Sequence, residues 1–249
     1  MKVHPLDISY LTEQLERKQP FSLVRYGDGE FYSILGASGA NCDGAEYNLP
    51  KLRESLAHTL TEPRDYLYCI GPKVMNRKNG ITEKSVEWIE QNAPSIRWHT
   101  SETILEASLA GNLKPLTQAL GKVMIVGPVH LRGLPIPFKT FVQVPTINAW
   151  LHYDMILYLI RRELYQVDTI LFSAGFVSKC AIWSLFPSVG ETHNLIDIGS
   201  SFDSAVGVDS RSYSRKLTLE QKIRLSVLNF GISEETARQL LTSDKSVLK

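Results

Sequence analysis

Short apolar runs and longer amphipathic stretches alternate along the 249-residue chain. The runs Phe21–Arg25, Tyr66–Ile70, Val123–Val126, Thr140–Val144, Thr169–Phe172 and Leu195–Ile198 are each apolar over most positions and bounded by Gly, Pro or Asp. Continuous apolar character predicts strands covered on both faces. Between the runs the period lengthens. Leu49, Leu52, Leu56, Ala57 and Leu60 share one side of a helix, and Ile147–Leu164 is the longest such segment, its polar face carrying Asp154, Arg161 and Glu163. Near the end, Thr218 is placed to cap a helix that Gly231 stops. This alternation predicts an α/β fold: a Rossmann-like, doubly wound, mostly parallel sheet with helices on both faces. No repeat, low-complexity tract or linker breaks it, so residues 1–249 read as a single domain.

In such sheets ligands bind beyond the carboxyl ends of the strands, which makes the strand-end residues the ones to inspect. The first run ends in Arg25-Tyr26-Gly27-Asp28-Gly29-Glu30. If the segment stays extended, Asp28 and Glu30 point the same way. They would then offer hard oxygen ligands to Mn²⁺ or Mg²⁺, with Gly27 and Gly29 admitting a ligand closely and Arg25 offering a planar fork to a phosphate. The competing expectation is that Asp28 caps a helix running Glu30 to Leu35, with Glu30 in its first turn.

Other run ends carry similar groups. Gly71-Pro72 precedes Lys73, Asn76 and Arg77, and Gly127-Pro128 precedes His130 and Arg132. Ser173 to Lys179 reads as strand, turn and helix start, placing Gly175, Ser178 and Lys179 to hold a phosphate. Asp197, Gly199, Ser200, Ser201 and Asp203 follow the last run, and Arg211 and Tyr213 come next. The stretch from Ser200 to Arg215 is long and rich in Ser, Gly and Asp, as lids and binding loops are. P-loop spacing, the dinucleotide glycine fingerprint, zinc-ligand spacings and the nucleophile elbow are all absent from the sequence.

Composition narrows the partners. A formal net charge of +1 argues against nucleic acid. Local basic clusters at Lys73-Arg77-Lys78 and Arg211-Arg215-Lys216 suit a small anion, or are solvated loop charges. Cys42, Cys69 and Cys180 read as reduced thiols of a cytoplasmic protein, with Cys69 and Cys180 buried. Trp88, Trp98, Trp150 and Trp183 read as core or ligand-stacking residues. No apolar stretch is long enough to span a bilayer, which leaves room for a peripheral position at the inner face of a membrane.

Taken in order, Arg25–Phe31, Ile70–Lys73, Gly175–Lys179 and Leu195–Asp203 resemble the motifs of the GT-D-type bacterial glycosyltransferases. The resemblance spans most of residues 21 to 213, with these islands diagnostic. It implies a Rossmann-like fold and a nucleotide-sugar donor, UDP-hexose foremost. It further implies a divalent cation, usually Mn²⁺, with Asp28 and Glu30 at the metal-diphosphate site, and an acceptor that is a glycan, glycolipid or glycoprotein of the cell surface. Some members carry a His where this chain has Ser200. For an inverting reaction, His130, His193 and Asp203 stand as candidate bases; a retaining one dispenses with them. A metal-dependent phosphohydrolase and a non-catalytic nucleotide-binding module are the alternatives.

Overall fold

The computed structural model describes residues 1–76 and 81–242. Strands β1 (Val3–His4), β2 (Ser22–Tyr26), β3 (Leu67–Ile70), β4 (Trp98–Thr100), β5 (Val123–Gly127), β6 (Phe138–Gln143), β7 (Thr169–Phe172) and β8 (Asn194–Asp197) form one sheet of order β1-β4-β3-β2-β8-β7-β5-β6. Every pairing in it is parallel. The expected α/β sheet is therefore present, and all the apolar runs of the sequence are strands within a few residues.

The helices are α1 (Ile8–Glu16), α2 (Asp28–Ile34), α3 (Leu52–Thr61), α4 (Pro72–Asn76), α5 (Ile81–Asn92), α6 (Thr103–Ala110), α7 (Lys114–Ala119), α8 (Tyr153–Glu163), α9 (Phe176–Val189), α10 (Leu219–Phe230) and α11 (Glu234–Thr242). They cover both faces, and each face has its own core. On one, Leu52, Leu56 and Leu60 of α3 and Ile182 and Leu185 of α9 pack with Val24, Met124 and Ile170 of the strands. On the other, Leu11 and Leu15 of α1 and Leu116 of α7 meet Leu23, Ile125 and Leu171. Strand side chains alternate between these cores, as a period of two requires. Thr218 accepts from Gln221 N, and Gly231 closes α10 at φ 67°. This is the expected cap and stop.

Two strands escape the pattern. β1 has two residues, and β4 reads Trp-His-Thr with an arginine before it, so neither shows an apolar run. Their place comes from neighbours: Tyr68 pairs with Trp98, and the Trp98 ring meets Tyr26 edge-on at 5.8 Å. Trp98 is thus a core residue. The other tryptophans are also tied to the protein: the Trp150 and Trp183 indoles donate to the Pro50 and Glu62 carbonyls, and Trp88 packs against the first core. Cys69 and Cys180 are buried, and burial pushes both thiols up to about 12, which leaves them chemically inert.

Candidate functional site

β2, β7 and β8 end side by side in the middle of the sheet, and the chain leaves each through a turn rich in polar residues. After β2 the backbone does not stay extended. Gly27 is the N-cap of α2, Asp28 its first residue and Glu30 its third. Two positions apart on a helix lie about 200° apart around its axis, so Asp28 and Glu30 diverge. The convergence expected of an extended segment is replaced by a helix start. The helix starts two residues earlier than the competing expectation, at Asp28 rather than Glu30, with Gly27 rather than Asp28 as the cap.

Glu30 turns inward. Its Oε2 accepts from Gly27 N at 2.8 Å, and its Oε1 lies 3.0 Å from Lys179 Nζ. Lys179 comes from α9, immediately after β7, and also reaches Asp197 Oδ2 at 3.0 Å and the Gly175 carbonyl at 3.1 Å. Asp197, the last residue of β8, accepts from Gly199 N through Oδ1 and from Arg25 N through Oδ2. All three side chains are less than a tenth exposed. Burial alone would raise the Glu30 carboxyl, but the Lys179 ammonium and the Gly27 N–H outweigh it and hold it below its ordinary value. Burial likewise works against the Lys179 charge, and Asp197 and Glu30 reverse that, raising its pKa. The triangle is therefore charged, fully partnered and closed to solvent. Lys179, expected to grip a phosphate, instead locks α9 to α2 and β8. Asp197 and Glu30, expected at the ligand, stand behind it.

The same geometry tests the cation. Each Glu30 oxygen already accepts a donor, and Asp28 points elsewhere around the helix, so a two-carboxylate chelate by Asp28 and Glu30 does not fit. Among the described residues no group of three or more His, Cys, Asp and Glu side chains gathers to hold a metal. Nor does Gly29 leave room for a ligand: a Cβ there would run into the side chain of Asn41.

Arg25 lies one residue along β2 from Val24 and so faces the opposite core. Its Nη1 donates to the Ile198 carbonyl at 2.7 Å and lies 3.5 Å from Ser201 Oγ. Gly199, at φ 51°, lets this guanidinium pass; a Cβ at that position would come within 2.5 Å of Nη1. Arg25 Nε is buried without a hydrogen-bond partner among the described residues. Ser201 itself is buried, and Ser108 Oγ donates to its carbonyl.

The outer rim is half-exposed. Ser200 Oγ takes a hydrogen bond from Arg211 Nε at 3.2 Å and lies 3.2 Å from the Tyr213 hydroxyl, which also donates to the Ser200 carbonyl. Arg211 continues to Asp43 Oδ2 at 3.4 Å and to Cys42 Sγ. Where some GT-D-type sequences have an imidazole, this chain has the hydroxyl that joins Arg211 to Tyr213. Asp43 and Cys42 are rim residues that the sequence pattern did not mark, since they sit in an irregular segment far from any strand end.

The lid expectation for residues 200–215 is corrected in its first half. Ser201 to Val206 are buried, and the Phe202 ring packs edge-on against Phe230 at 5.7 Å. Asp203 is buried there too, hydrogen-bonded to Ser210 Oγ and to His130 Nε2. His193 precedes β8 and contacts the Leu164 carbonyl at the opposite end of the sheet, which removes it from the candidate bases. Gly175 is exposed before α9, and Lys73 is exposed on α4 beyond β3. Asn76 ends α4 with its side chain outside the described residues, where Arg77 and Lys78 also lie.

No family model matches the chain, and no curated protein matches it at a significant level. Solved structures do. One, described as a new glycosyltransferase from Streptococcus sanguinis with the domain of unknown function 1792, aligns with a TM-score of 0.62 at 18% identity, covering 81% of this chain and 84% of that one. Another, described as that domain having a distinct glycosyltransferase fold, gives 0.56 at 19% identity over 81% and 80%. A selenomethionine structure of the same domain gives 0.57 at 20% identity over the same shares. The likeness shows that the chain has this fold.

Proposed function

We propose that the chain works as a single glycosyltransferase domain, moving a hexose from a nucleotide sugar, a UDP-hexose foremost, to a hydroxyl of a cell-surface glycan, glycolipid or glycoprotein. The observation that carries this reading is Arg25: a guanidinium fixed at the central strand ends by the Ile198 carbonyl, with an unmatched Nε–H and within electrostatic reach of the rim residue Tyr213. A buried donor without a protein partner is able to take an acceptor atom. The described fold of the structural neighbours supports the same class of reaction.

Breaking the bond between the anomeric carbon and the diphosphate leaves negative charge on the leaving group. Arg25 and Arg211 supply fixed positive charge at the strand-end edge, where preorganised charge stabilises that transition state. The Glu30–Lys179–Asp197 triangle holds the frame. Through the Arg25 backbone N–H and the Gly199 N–H it fixes the turn against which the guanidinium rests. Mn²⁺ or Mg²⁺ belongs to the proposal through Asp28 and the donor's own phosphate oxygens, the arrangement such ions favour; when bound it would polarise the leaving diphosphate.

No helix among the described residues is long and apolar enough to cross a membrane. A peripheral position beside a membrane-borne acceptor is supported by the outward crest of α8 and the turns on either side of it, where Leu151, Met155, Tyr158 and Tyr165 are exposed. The test of the reading is a panel of UDP-, GDP- and CMP-sugars, with Mn²⁺ or EDTA, followed by thermal shift and by release of free nucleotide. A donor that stabilises the protein and is turned over supports it; a protein indifferent to the whole panel refutes it.

A further inference from the structure

Resting on the glycosyl-transfer reading above, we propose that His130 is the base that deprotonates the acceptor hydroxyl, that Asp203 is its positioning residue, and that the transfer inverts the anomeric carbon. His130 sits in the turn Val129–Gly133 directly after β5, half-buried at the same edge of the sheet as the site. Its Nε2 lies 3.3 Å from Asp203 Oδ1. A carboxylate accepts and does not donate, so Nε2 carries the proton and Nδ1 keeps its lone pair. Asp203 is in turn held by Ser210 Oγ on its other oxygen and is only 5% exposed. A buried carboxylate that fixes an imidazole tautomer is the arrangement of a general base.

The position suits the acceptor. β5 is two strands from β8 and three from β2, so His130 stands about 10 Å along the edge from the turn after β8 and about 14 Å from the end of β2. That spacing places the base on the far side of a sugar whose diphosphate rests at β2 and β8. The Asp203 carboxylate is one of the negative groups felt at Arg211 and at the Tyr213 hydroxyl, so the dyad and the rim belong to one electrostatic neighbourhood. In the step, the acceptor O–H gives its proton to His130 Nδ1 while an oxygen lone pair forms the new bond to the anomeric carbon. The bond from that carbon to the diphosphate oxygen breaks, and its electron pair leaves with the nucleoside diphosphate. The products are the glycoside, the nucleoside diphosphate and an imidazolium that returns its proton to solvent.

The experiment uses UDP-glucose, UDP-galactose, UDP-N-acetylglucosamine and GDP-mannose, all α-linked, with water as acceptor so that no glycan need be known. His130→Asn is expected to lower kcat about 10²–10⁴-fold with little change in donor KM. Asp203→Asn should lower kcat with donor KM unchanged, and Asp203→Glu should restore part of that loss, because the imidazole needs an acceptor at Nε2 to hold its tautomer. His193→Gln, at the other end of β8, should match wild type. Proton NMR of the first sugar released by the wild-type protein should show the β anomer. An α anomer first, or wild-type kcat in His130→Asn, overturns the assignment while leaving glycosyl transfer intact. If no donor in the panel binds or turns over, the transfer reading falls and this inference with it. The stereochemical arm needs no variant, so an α anomer first overturns the assignment even where His130→Asn fails to fold.

Discussion

The Glu30–Lys179–Asp197 triangle and the Arg211–Ser200–Tyr213 rim lie at the same edge of the sheet and use similar residues. The triangle is sealed, with side chains 1% to 9% exposed and every charge countered within 3.0 Å. The rim is open: Arg211 and Asp43 are about one-third exposed and 3.4 Å apart. Sealed charges cannot be re-hydrated when a partner is lost, so each depends on the others. Open ones exchange a partner for water at little cost. The difference separates scaffold from contact surface: charge density alone does not mark where a ligand binds, and the most tightly paired ions here are the least available to one.

Breaking the triangle should have the largest effect. Lys179→Met leaves two buried carboxylates facing each other and should cost about 3–5 kcal/mol in denaturant unfolding. Adding Glu30→Gln to that variant should recover part of the loss. A Lys179→Met protein of unchanged stability would mean that the triangle is not a scaffold.

Glu30→Gln alone should cost about 1.5–3 kcal/mol at neutral pH. Its pH dependence has a definite sign. The folded carboxyl titrates below its ordinary value of 4.5, so its contribution is complete above that pH and is lost as pH falls through the folded value. Wild type and Glu30→Gln should therefore converge in stability below about pH 4.5, as read by unfolding curves from pH 7 down to pH 3. Parallel curves over that range would remove the ion pair from the account.

Between the two regions stands Arg25. Arg25→Ala should weaken nucleotide-sugar binding about tenfold to a hundredfold by calorimetry. At the rim, Arg211→Ala should change stability by less than about 1 kcal/mol and act on donor KM instead. A stability loss as large as that of Lys179→Met would erase the distinction between rim and triangle.

The sheet was legible because short continuous apolar runs bounded by Gly, Pro or Asp have few other uses than as buried strands. β4 was not legible, since its place depends on Trp98 meeting Tyr26 and Tyr68 from distant segments. In the site, the sequence located Arg25, Lys179 and Asp197 at or just past strand ends and Arg211 in the loop after the last one, but not the direction of their side chains. Asp-Gly-Glu reads equally as an extended ligand pair or a helix start. The choice is made by Lys179, 149 positions away from Glu30, whose ammonium draws Glu30 inward. The Cys42 and Asp43 contacts to Arg211 were illegible for the same reason.

The central claim is that the strand-end edge of the sheet holds the diphosphate of a nucleotide sugar, with Asp28 in contact and Glu30 behind it. Calorimetric titration of UDP with Mn²⁺ into wild type, Asp28→Asn and Glu30→Gln tests this directly. The account predicts clear binding to wild type, loss of the Mn²⁺-dependent part in Asp28→Asn at unchanged melting temperature, and retained metal dependence with a lowered melting temperature in Glu30→Gln. Equal Mn²⁺-dependent binding by wild type and Asp28→Asn would contradict it.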